Sequence, residues 1–124
     1  MKGSRRMAHT VDMMREDTWG RDPEVQMLRR IFRKIENAQT EILTVSGLSG
    51  FDERLRNWRR KALVHFERVW NRAVRSGVLM KEDEVAALYV VCLSRVIADG
   101  GVPLPASPYE KNQKIERLLK AEFP

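Results

Sequence analysis

Residues 85–98, V-A-A-L-Y-V-V-C-L-S-R-V-I-A, constrain the fold more than any other stretch of this chain. At about 100° per residue their apolar side chains point to every side of a helix and not to one stripe. Only Ser94 and Arg95 interrupt them. A helix that is apolar all round has to be enclosed, by lipid or by other helices. The stretch is well short of the roughly 20 residues that span a bilayer. Other helices are therefore the expected enclosure, and no membrane partner is expected.

The rest of the chain supplies those helices. Asp22-Pro23 is a helix start, because the Asp side chain caps free amides and Pro fits the first helical position. Val25, Leu28, Phe32, Ile35, Gln39 and Ile42 then recur at spacings of three and four, one face of a helix over about 23–45. Gly47 suits a left-handed helix end, and Ser49 with Asp52 can cap the next helix. That helix is expected over about 50–76, with Gly77 as its stop. Its seam runs Leu55, Arg59, Ala62, Phe66, Val69 and Ala73, widened by Trp58, Leu63 and Trp70. Glu82, Asp83 and Glu84 open the apolar helix at its dipole-positive end, and Asp99-Gly100-Gly101 closes it. Two prolines keep residues 102–106 out of a helix. Ser107-Pro108-Tyr109-Glu110 has the pattern of a cap, so a last helix is expected over about 108–122. It offers Ile115, Leu118, Leu119 and Phe123 to the core.

The expected fold is all-α, a compact bundle of four main helices in which a long antiparallel helical hairpin packs on the buried third helix. Residues 10–19 would add a short fifth. Residues 1–9 read as a flexible basic tail, and residues 10–124 as a single helical domain. Within the hairpin, Gln39 and Arg59 occupy seam positions that are otherwise apolar. Counting outward from Leu48 places them in one layer, with Glu36 and Glu41 within a turn of Gln39. The expectation is a buried polar layer that fixes the hairpin's register.

Chemistry for catalysis is sparse. Cys92, the lone cysteine, falls inside the apolar helix and reads as a small buried hydrophobe. The chain has no readable signal sequence and a single thiol, which point to a reducing cytoplasm. His9 and His65 have no neighbouring ligands spaced for a metal, and phosphate-loop, nucleotide-fold and serine-nucleophile motifs are missing. The sequence thus reads as non-enzymatic, with no metal and no cofactor. A helix-turn-helix reading fails because the third helix has almost no polar side chain to offer a major groove.

Charge carries the functional signal. The net charge is +6, yet residues 1–80 hold 17 basic and 10 acidic side chains, and residues 81–124 hold 6 and 7. On the second helix Arg54, Lys61, Arg68 and Arg75 recur every seven residues, and Arg72 fills a gap. They form one stripe about 31 Å long at 1.5 Å per residue, drifting only about 20° per heptad. No acid of that helix falls within it, and Trp58 and His65 border it. Cations beside an aromatic ring and an imidazole suit a phosphate backbone with occasional base stacking. Arg29, Arg30, Arg33 and Lys34 form a second basic cluster. The expected function is a small basic binding protein associated with nucleic acid, a subunit or accessory factor of a DNA- or RNA-processing complex. The alternative is an adaptor or regulator that docks an acidic protein partner. Self-association is left open.

Overall fold

The computed structural model describes residues 22–48, 52–104 and 109–124. Four helices make up the described chain: α1 (Pro23–Ser46), α2 (Glu53–Arg75), α3 (Glu82–Asp99) and α4 (Gln113–Leu119). The expected basic tail, the short helix over 10–19, Ser49 and the Ser107-Pro108 pair lie outside the described residues.

The helix ends follow the local chemistry. Asp22 Oδ1 accepts the Glu24 amide at 2.9 Å and Pro23 takes the first helical position. Gly47, at φ +70°, closes α1 in the left-handed region. Asp52 caps α2 through the Arg54 amide at 2.8 Å. Asn112 caps the last helix, accepting from the amides of Lys114 at 3.0 Å and Ile115 at 3.3 Å. The last helix is accordingly shorter than expected, and Tyr109, Glu110 and Lys111 form a turn ahead of it.

Helix α3 is the axis of the molecule. Leu88, Val90, Val91, Cys92, Leu93 and Ile97 are fully buried, and Val96 nearly so. The two polar interruptions are accommodated differently. Ser94 turns its hydroxyl back to donate to the Val90 carbonyl at 3.0 Å. Arg95 reaches Glu116 Oε1 at 3.2 Å, carrying its charge towards α4. Burial pushes the Cys92 thiol up to about 12, with the Glu122 charge adding to the effect. The thiol is inert packing.

The other helices wrap this axis. Helix α2 buries Leu55, Ala62, Val69 and Ala73 against it, seven residues apart for the first three. Helix α1 brings Ala38 and Ile42 onto Val90. Helix α4 adds Ile115 and Leu119. Trp58 lies beside Gly100 and Phe66 beside Tyr89, so α2 runs antiparallel to α3. Lys34 meets Asp83 and Ile42 meets Val90, so α1 runs alongside α3 in the same direction. The two long helices are therefore antiparallel, as a short connection requires.

They pack on α3 far more than on each other. Tyr89, half-buried, stands between them, touching the Ala38, Ile42 and Val90 cluster on one side and the Phe66 ring edge-on at 5.8 Å on the other. This geometry corrects the expected seam. On α1 the buried side chains are Val25, Ile31, Ala38, Ile42 and Leu43, whereas Leu28, Phe32, Ile35 and Gln39 are only half-buried. The face of α1 is set by α3 and not by α2, and a small alanine lets the backbones close.

Gln39 and Arg59, expected as a buried polar layer, are both half-buried, and among the described residues no hydrogen bond joins them. Gln39 lines a shallow groove on α1 with Phe32, Ile35 and Glu36. Arg59 lies within electrostatic reach of Tyr89. Its Nε is buried without a hydrogen-bond partner, and among the described residues no bond joins it to Glu36 or Glu41, both exposed.

Glu82, Asp83 and Glu84 do more than face a helix dipole. Glu82 pairs with Arg30 at 3.1 Å and Lys34 at 3.3 Å, and Asp83 also pairs with Lys34. Glu84 accepts the Lys81 amide at 2.9 Å and pairs with Lys114 Nζ at 3.1 Å. Three consecutive carboxylates thus tie α1 and α4 to the start of α3. Among the described residues no helix is long and apolar enough to cross a membrane.

Candidate polyanion-binding face

Burial of Leu55, Ala62 and Val69 fixes the rotation of α2, and the same seven-residue spacing then sets Arg54, Lys61, Arg68 and Arg75 along one outer flank. All four are exposed. Arg54 makes a 3.4 Å contact with its own cap, Asp52, and keeps three quarters of its side chain in solvent. Lys61 and Arg75 make no ion pair among the described residues. Trp58 and His65, both half-buried, stand where the stripe meets the core.

The middle of the stripe meets the C-terminal turn. Glu122 Oε1 lies 3.0 Å from His65 Nδ1 and 3.1 Å from Arg68 Nη1, and its other oxygen lies 3.8 Å from Arg72 Nη1. The bond to His65, then the Arg68 guanidinium, hold the Glu122 carboxyl below its ordinary value against the opposing effect of burial. Arg72 also donates to the Leu118 carbonyl at 2.8 Å, which closes the end of α4 onto α2. Of the residues read from the sequence as one stripe, Arg72 is thus the most occupied by the fold itself. Arg68 uses one of its five N–H groups on Glu122 and stays 63% exposed.

Beside the stripe a groove of about 460 Å³ is lined by Trp58, Lys61, His65, Arg68, Val96, Asp99, Gly100 and Phe123 among others. Gly100 is necessary to its shape. A β-carbon there would stand 3.0 Å from Trp58 Nε1 and 3.2 Å from its Cζ2. The Phe123 ring packs tilted on His65, centroids 4.6 Å apart.

Sequence reasoning missed Glu122, Asp99 and Gly100 as neighbours of the stripe, and read Phe123 as core alone. Nothing local marks them, because they come from the far end of α3 and from the C-terminal turn. The available signal was the antiparallel order, which brings residue 100 beside residue 58. Among the described residues no group of three or more His, Cys, Asp or Glu side chains is arranged to hold a metal ion. No protein-family model, curated protein or solved structure matches the chain.

Proposed function

We propose that this protein binds nucleic acid through the outer flank of α2, as a subunit or accessory factor of a larger complex. One observation carries the reading: Arg54, Lys61, Arg68 and Arg75 stand exposed in one line, and α2 itself places no acid among them. Phosphates spaced along a strand meet such a line with charge-assisted hydrogen bonds and release counterions. Contacts of this kind position a polymer without reading its bases.

Fluorescence anisotropy with labelled DNA and RNA tests it. Affinity is expected to fall steeply with salt, the log–log slope growing by about −0.9 for each phosphate contacted on a duplex and about −0.7 on a single strand. Lys61→Glu with Arg75→Glu should weaken binding to all sequences alike and flatten the slope. Both side chains are exposed and unpaired, so stability should change by no more than about 0.5 kcal/mol. Absence of binding near physiological salt to any of these polymers would remove the reading.

The adaptor alternative sets the same basic stripe against an acidic protein partner, to which Leu63 and Val74, 42% and 55% exposed on another flank of α2, would add apolar contact. An acidic protein that co-purifies free of nucleic acid, and whose binding is lost on Leu63→Asp, would favour it.

A further inference from the structure

We infer that the groove beside the stripe is a site for one unpaired nucleotide, with its phosphate on Lys61 and Arg68 and its base against Trp58 and Phe123. The inference rests on the nucleic-acid reading above and adds the form of the polymer that the site takes. The groove's volume of about 460 Å³ falls within the range of small-ligand pockets, about 300–1,000 Å³. Its composition is more specific than its size. Two aromatic side chains from different parts of the chain line one hollow, and cations line its rim on the α2 side. In a duplex both faces of a base are covered by its neighbours. Only an unpaired base has a free π-face for such side chains.

The Glu122 carboxylate sits within hydrogen-bond distance of His65 and Arg68, so the chain itself already engages His65 and one edge of Arg68. The guanidinium N–H groups of Arg68 not engaged by Glu122, together with Lys61, remain for a phosphate. Asp99 also lines the groove, exposed and without a side-chain hydrogen bond among the described residues. A carboxylate there repels phosphate, but it accepts the amino N–H of cytosine, and by the same chemistry that of adenine or guanine. The groove thus offers cations to a phosphate and a carboxylate to the amino group of a base.

The test compares a labelled 12-nucleotide strand rich in cytosine and adenine with its own blunt duplex, by anisotropy on the full chain in one buffer. The strand is expected to bind at least about fivefold tighter, the lower bound of one stacked base. Phe123→Ala should bring the strand down to the duplex's affinity. Equal affinity for the two forms overturns the nucleotide site and leaves the backbone-binding reading standing; no binding to either overturns both. A second measurement needs no variant. In NMR titrations of the wild-type chain, cytidine 5′-monophosphate should shift the Gly100 amide and the Trp58 indole, and inorganic phosphate should not. Identical shift maps for the two ligands, or none at those groups, overturn the proposal even where Phe123→Ala fails to fold.

Discussion

At the scale of single residues, the consequences are set by what each buried group loses or keeps. Leu88 is fully buried at the centre of α3. Leu88→Ala removes its transfer free energy and leaves a cavity, and urea titration should show a loss of about 2–5 kcal/mol. Glu122 acts through charge. Its carboxyl titrates below the ordinary range in the folded chain, chiefly through its bond to His65, so its ionised form stabilises the fold above that range. The contribution is lost as pH falls through the depressed folded value. In thermal melts from pH 7 downward, Glu122→Gln should therefore start less stable and lose less on acidification than the wild type. Tyr89 is half-buried, and its hydroxyl has no hydrogen-bond partner among the described residues. Burial still raises its pKa, opposed by the Arg59 charge.

At the scale of helices, the central question is what separates α1 from α2. Tyr89 stands in the valley between them, and Arg59, half-buried within electrostatic reach of it, has an Nε without an acceptor among the described residues. Arg59→Met preserves the volume and removes an unsatisfied polar atom, whereas Arg59→Ala removes packing as well. Denaturant midpoints should place Arg59→Met at or above the wild type and Arg59→Ala below it. The sequence pattern was enough to locate the four helices of the described residues, the cap at Asp22, the Gly47 and Gly77 stops and the burial of α3, whereas Asp52, expected as the partner of a Ser49 cap, is itself the cap of α2. Apolar periodicity encodes which side of a helix is dry. It does not encode which helix dries it, and so Leu28, Phe32 and Ile35 were placed at the centre of a contact that Ile31 and Ala38 make. The basic stripe was legible for the same reason of period. Its neighbours Asp99, Gly100 and Glu122 were not, because their approach depends on how α3 and the C-terminal turn lie across α2.

For the molecule as a whole, the ion pairs from Glu82, Asp83 and Glu84 and the apolar contacts of α1, α2 and α4 converge on one helix. No pair of the outer helices shares an interface comparable to those each of α1 and α2 makes with α3. This arrangement dictates an order of events during synthesis. When the first 80 residues have left the ribosome, α1 and α2 exist as sequence but have nothing to dry their apolar sides against, and isolated helices of this length are marginal in water. Native structure becomes available only once residue 99 or so has emerged, and contacts separated by roughly 20 to 60 positions then form together. A chain stopped at residue 80 should show weak, non-cooperative helical circular dichroism, and adding a peptide of residues 81–124 in trans should restore a sharp thermal transition. A chain that stops before α3 is thus expected to leave the apolar sides of α1 and α2 uncovered and to be aggregation-prone instead of forming a half-built domain.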